Sequence, residues 1–356
     1  MNDTDVLIVG GGVAGLRLAT LLERAGTRYL VCEAKERLGG RVLTRSRHAS
    51  ASSYFDLGPT WVWPHQPAVL GLLRELKIDV FEQYSHGLLV HEDAHGHVRR
   101  DLDFSTMQGA LRLDGGMQAL TRRLRDEVDE RAVLLSARVG RIVAGAGRSA
   151  SVTLDDGRSL RAQRVVLALP PRVIAETIAF EPALPERLLK QMRSTPTWMA
   201  GHAKAVAIYS EPFWRARGLS GDALSQRGPL GELHDASPRD ASPGALFGFF
   251  AASAAWRKAN ASHLAGRIRK QLEGLFGAPA GEPEDLFIID WATDPHVATE
   301  ADAVPPREHP AYAPLASVGS SWQEILLFAG TEVAPREAGY VEGALLAAEA
   351  AARTLR

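Results

Sequence analysis

Three glycines, Gly10, Gly12 and Gly15, stand between an apolar run, DVLIVG, and an amphipathic stretch, VAGLRLATLLERAG. A strand entering a helix through this spacing can hold a pyrophosphate. The first glycine permits the tight turn, the second lets the phosphates reach the backbone, and the third lets helix and strand approach. The first amides of the helix lack partners within it and can hydrogen-bond the anion. Glu33 ends the next apolar run, RYLVCE, where its carboxylate can accept both hydroxyls of a ribose and disfavour a 2′-phosphate. A second glycine pair, Gly39-Gly40, precedes Arg41, whose forked guanidinium can neutralise the same pyrophosphate. A nicotinamide enzyme does not need this second clamp, so the expected ligand is FAD. Lys204 is the other chemically pointed residue, because it interrupts the apolar run AKAVAIY. An unpartnered buried ammonium is costly. Either this strand lies at a sheet rim with the lysine in water, or the charge has something to act on.

The elements that must position these residues can be read around them. Residues 5–10, 13–25 and 28–33 make a βαβ unit. A helix is expected over 66–77 before a KIDVF strand, and strand material over 85–114 around the polar turn EDAHGH. GGMQALTRRLRDEVDE reads as a helix entered through Gly-Gly. ARVGRIVAGAG, ASVTLDDGRSL and RVVLALPP read as a meander with its hairpin at Asp156-Gly157. From 171 to 310 the chain turns rich in proline and aromatics, with strands at AKAVAIY and ALFGFFA and a helix near 261–276. A strand, a glycine turn and an Ala-rich helix close the chain. The expected division is a discontinuous cofactor domain over 1–84, 115–170 and 315–356, with a substrate or cap domain over 85–114 and 171–314.

Composition removes several classes of function. Across 356 residues, 41 Lys+Arg balance 42 Asp+Glu, which gives no reason to expect nucleic acid or an anionic membrane as partner. The lone cysteine, Cys32, excludes a disulfide framework and any multi-cysteine metal site. Cys32 falls in a buried strand on the adenosine side. No His/Asp/Glu set has metal-ligand spacing, no motif supports a Ser-His-Asp triad, and no apolar run reaches membrane-spanning length. With no leader-like segment ahead of the first strand, the cytoplasm is the expected compartment.

Taken together, VLIVGGGVAGL, EAKERLGGR, FDLGPTW, GGMQAL, AKAVAIYSEPFW and LFAGTEVAPREAGYVEGA resemble the flavin-containing amine oxidases, the family of monoamine, polyamine and L-amino-acid oxidases. The resemblance implies an α/β fold: a doubly wound, glutathione-reductase-like Rossmann domain for FAD beside a smaller mixed α+β substrate domain. It implies non-covalent FAD held by Gly10, Gly12, Gly15, Glu33 and Arg41, then by Gly58, Thr60, Trp61 and Val139. Towards the C-terminus it adds Gly330, Glu332 near the ribityl chain, and Val341. Lys204 would face flavin N5 through a water. The helix starting near Tyr340 would aim its amides at the flavin pyrimidine, where negative charge develops on reduction. Trp63, His65, His296 and Tyr340 would line the substrate region.

The implied reaction takes hydride from the carbon next to a neutral amine, with dioxygen as acceptor and peroxide as product. Two departures qualify the likeness. The family's second cage aromatic falls at Ala301 and its glycine at Thr299. The segment between the second and third helices is short, so the cap should be small and the pocket open to a bulky or carrier-linked substrate. A desaturase of a bulky substrate on the same scaffold, and an FAD-binding protein without turnover, remain open alternatives.

Overall fold

The computed structural model describes residues 2–46, 54–145, 147–306 and 308–356. Strand β1 (Asn2–Val9) runs through Gly10 into helix α1 (Val13–Arg24), which returns to strand β2 (Tyr29–Cys32). β1 and β2 pair in parallel, Val6 opposite Tyr29 and Val9 opposite Cys32. Backbone geometry explains two of the three glycines. Gly10 has φ +108°, and a Cβ there would lie 2.7 Å from the Ala168 carbonyl oxygen. A Cβ at Gly15 would lie 1.9 Å from the Gly10 carbonyl oxygen.

On its other edge β1 pairs in parallel with Ser159–Leu167. This is one continuous strand, where the sequence reads as a hairpin arm followed by a separate strand. Its first half closes the hairpin with Ser149–Leu154, and its last three residues pair with Leu326–Phe328. The two ends of the chain therefore flank the same strand. Helix Val341–Leu355 lies against α1, with Ala348, Ala351 and Ala352 packed among Ile8, Leu18 and Leu22. Small side chains here let the helices approach closely.

The second sheet has the order Asp285–Asp290, Ala203–Tyr209, Gly244–Phe250, Leu230–Asp235, Leu219–Ser225, Leu88–Glu92, Val98–Leu102. Lys204 pairs with Phe249, Phe249 with Glu232, and Glu232 with Leu224. Paired residues share a face, so these four form a row across four strands. Residues 88–102 form the last two strands of this sheet. Residues 171–194, expected in the second unit, pack instead on the first sheet. Ala179–Glu181 pairs with Val139–Gly145, and Ile174, Leu188 and Met192 share a core with Trp322. The change to proline-rich composition at 171 marks a turn into covering helices, not a domain border. Among the described residues no helix is long and apolar enough to cross a membrane.

Candidate active site

Two cavities meet at the seam between the sheets. The first is lined by Gly10, Gly12, Cys32, Glu33 and Val139. The second, about 790 Å³, is lined by Gly58, Thr60, Trp61, Trp63, Lys204 and Tyr340, with Gly330 and Val341 also in its wall. Arg41, Ala168 and Val297 border both. Glu33 is buried, and its carboxylate accepts from the backbone N–H of Gly11 at 2.7 Å and of Lys35 at 2.9 Å. The Gly39 N–H donates to the Gly11 carbonyl at 2.8 Å, which ties the two glycine turns together. Burial pushes the Cys32 thiol up to about 12, so it remains a neutral apolar packing group.

Two helices open their N-termini onto these cavities. α1 begins at Gly12 with no side-chain cap and no acid in its first turn. Helix Val341–Leu355 begins at Tyr340, also without a side-chain cap. Its own first-turn acid, Glu342, points elsewhere and accepts from the N–H groups of Ala68 (2.9 Å) and Val69 (2.7 Å). Both helix ends thus present positive potential and unpaired donors to an anionic ligand.

Glu332 is 1% exposed. One oxygen accepts from Arg41 Nη1 at 2.7 Å, and the other, Oε2, is buried without a partner among the described residues. A buried carboxylate oxygen lacking a donor beside a guanidinium is the environment that a polyhydroxyl chain linked to a pyrophosphate would complete. The residues present fit FAD: Glu33 would take a ribose, the paired glycine turns and Arg41 the phosphates, Glu332 a polyhydroxyl chain, and the larger cavity the ring system.

Lys204 is 2% exposed. Its Nζ donates to the Gly58 carbonyl at 3.2 Å and to the Thr60 hydroxyl, and lies 4.0 Å from the Phe247 ring centroid. Burial pushes it down to about 7, opposed by the nearby Asp56 carboxyl and reinforced by Arg112. Tyr340 stacks on His309 at 4.7 Å with the rings 4° apart, and stands edge-on to Trp63 at 6.4 Å. Ala301 is exposed in the turn Glu300–Asp302, so Tyr340's neighbours are His309 and Trp63 and no second ring comes from that position.

Two substrate residues expected from sequence lie elsewhere. His65 is exposed, stacked on Trp63 in the turn before helix Pro67–Glu75, and takes no part in the cavity wall. His296 lines the first cavity, beside Glu33, and not the second. Its N–H is held by Asp294 (3.0 Å), which also pairs with Lys35, and this draws the turn to the ribose side. Sequence reasoning missed Glu232, which lines the large cavity from the middle of the second sheet. Its signal was GELHD, in which Glu232 and His234 stand two apart and so share one face of the strand.

A dinucleotide cradle on a doubly wound sheet, opening into an apolar cavity beneath a second sheet, defines an FAD-dependent oxidoreductase. The profile of the flavin containing amine oxidoreductases matches residues 13–95 and 89–356, and the chain belongs to that family. It is 29% identical to the flavin-containing monoamine oxidase AofH of Mycobacterium tuberculosis, over 98% of this chain and 95% of that protein. It is 25% identical to a putrescine oxidase of Kocuria rosea, over 80% and 77% of the two chains. The solved structure of cyclohexylamine oxidase from Brevibacterium oxydans shares the fold with a TM-score of 0.80, at 20% identity over 99% and 98%.

Proposed function

We propose that this amine oxidase-type enzyme converts a primary amine to an imine at the apolar face of the large cavity, with dioxygen as the final acceptor. Bound FAD supplies the two-electron chemistry, taking hydride from the carbon next to the nitrogen and returning the electrons to dioxygen as peroxide. The observation that carries the reading is Lys204, a buried lysine held in the cavity wall by Gly58 and Thr60, with an uncapped helix N-terminus in the same wall. Trp61, Trp63, Phe249 and Tyr340 exclude water from the substrate and favour its neutral form. Lys204 Nζ holds a water or superoxide-like charge at the wall, and the Tyr340 helix end stabilises negative charge. The cofactor is proposed to be non-covalent, because Cys32 lies in the first cavity, apart from the large one. The cytoplasm is the proposed compartment.

The test is anaerobic mixing of the yellow holoenzyme with a panel of primary amines. Loss of the 450 nm band in proportion to amine, and peroxide on admitting air, are expected. Bleaching by amines with no return of colour in air would leave an amine dehydrogenase. No bleaching by any amine, with bleaching by a bulky alicyclic substrate, would give the desaturase.

A further inference from the structure

Six buried side-chain atoms lack a hydrogen-bond partner among the described residues, and one of them, Nδ1 of His202, belongs to a residue in the wall of the large cavity. The side chain as a whole is half-buried. With Nδ1 sealed inside the wall, the ring meets the cavity by its far edge, which carries Nε2.

This arrangement fixes the proton. An imidazole carries N–H on one nitrogen when neutral and on both when charged. An N–H at Nδ1 would be a donor closed off from water and facing no acceptor, whereas a bare lone pair there is less costly. The proton therefore belongs on Nε2, and the ring stays neutral. Burial, and after it the Arg257 guanidinium, push the imidazole below its ordinary value, in the same direction. His202 is thus a donor into the cavity and not a base, because accepting a proton at Nε2 would require one at Nδ1.

Its neighbours say what the donor faces. His202 precedes strand Ala203–Tyr209 and continues its ladder, its carbonyl accepting from the Trp291 N–H at 3.0 Å. The period of two puts its side chain on the same face as Lys204, about 7 Å along the strand. On the other flank stands Trp198, with ring centroids 6.1 Å apart. Trp198 packs on Gly339, where an added Cβ would lie 3.0 Å from the Trp198 Cβ. Gly339 directly precedes Tyr340, at which the last helix begins. The imidazole therefore stands between Lys204 and that helix end, the two features that the cavity offers to negative charge.

We propose that His202 donates its Nε2–H to the ring system of bound FAD and so raises the reduction potential of the flavin. Reduction makes the ring more negative, so a fixed donor gains strength on reduction, and it does so without adding a cation to a wall that already holds Lys204. The role goes beyond the amine reading, since it belongs to the cofactor whatever substrate reduces it.

The test is the midpoint potential of the holoprotein, read by slow chemical reduction against a reference dye in the wild type, His202→Phe and His202→Gln. Phe keeps a ring and deletes the donor, while Gln returns an amide N–H near the place of Nε2. The reduction equilibrium of the Phe variant should be about tenfold less favourable, about 30 mV for a two-electron couple. The Gln variant should return to within about threefold of the wild type. A Phe variant within about threefold of the wild type overturns the proposal. So does a Gln variant as low as Phe, because packing and not the donor would then set the potential. If the Phe variant does not retain flavin, imidazole ¹⁵N NMR of the wild type decides, with the His202 signals assigned by their loss in His202→Gln. A bare Nδ1 is expected, with an Nε2–H that exchanges more slowly once FAD is added to the apoprotein. A protonated Nδ1, or an Nε2–H indifferent to FAD, overturns the proposal. None of these readings uses an amine, so a failure of the amine-oxidase reading leaves them standing.

Discussion

A lysine buried to 2% exposure in an Ala- and Val-rich strand is unfavourable for the fold unless the protein uses it. The proposed use gives a kinetic prediction for Lys204→Met, which keeps the side-chain length and deletes the charge. The variant should bind FAD normally but reoxidise in air about 10²–10³-fold more slowly after photoreduction, the typical loss for one well-placed electrostatic stabiliser. Stopped-flow reoxidation within a few-fold of the wild type would make Lys204 an ordinary strand residue. Linkage gives a second expectation for the flavin-free protein. Folding lowers the lysine from 10.5 to about 7, so between those values the unfolded chain carries a proton that the folded chain has lost. Stability attributable to this group therefore rises with pH across that window. The Met variant should melt higher than the wild type below pH 7, and the advantage should shrink towards pH 10.5. Lys204 was legible in the sequence because charge stands out against an apolar run. Glu232 was not, since a carboxylate two residues from a histidine looks the same on a solvated face, and only Asp222, ten positions away, distinguishes the two.

Elements carry the site through their ends. Glu342 belongs to the last helix but caps another, its two oxygens taking the Ala68 and Val69 N–H groups at the start of Pro67–Glu75. That displacement leaves the Tyr340 helix end free of an acid facing the cavity. It also anchors Val69, Leu72 and Leu73 against Leu345. Glu342→Gln offers one acceptor and turns a donor towards the second amide. We expect a loss of about 1–3 kcal/mol in urea unfolding of the holoprotein, with the flavin spectrum unchanged. A loss under about 0.5 kcal/mol would mean that water replaces the carboxylate. The βαβ start and the last strand and helix were readable because glycine turns and apolar runs encode them locally. The length of Ser159–Leu167 was not readable, because the strand is set by three partners on its two edges: β1 along one, and Ser149–Leu154 then Leu326–Phe328 along the other. His65 and His296 were misplaced for a related reason. Both sit in turns whose direction depends on distant anchors, Trp63 stacking for one and the Lys35–Asp294 pair for the other.

At the scale of the molecule, the site is the seam between two sheets, each with its own core. A shared apolar cluster crosses the seam, with Leu43, Phe55 and Leu57 packed against Val206, Ile208 and Phe247. Lys204 reaches Gly58 and Thr60, the Trp291 indole N–H donates to the Leu57 carbonyl at 2.9 Å, and Lys35 pairs with Asp294. Another part of the seam is cavity wall, with Arg41, Ala168 and Val297 shared by both chambers. A ligand filling both chambers should therefore stabilise the seam more than either core. By mass action, FAD at 100 times its dissociation constant adds about 2.7 kcal/mol to global stability. The local consequence can be mapped by hydrogen exchange of the apo- and holoprotein. Removing FAD should raise exchange in the glycine turns and in segments 56–63 and 291–298. The strand cores 6–9 and 205–208, closed by ladder bonds within their own sheets, should keep their protection. If those strand cores lost protection together with the seam, the two sheets would form one cooperative unit that requires FAD to fold. If exchange rose only at the glycine turns, the larger chamber would be preformed, and the ring system would contribute little to holding the sheets together.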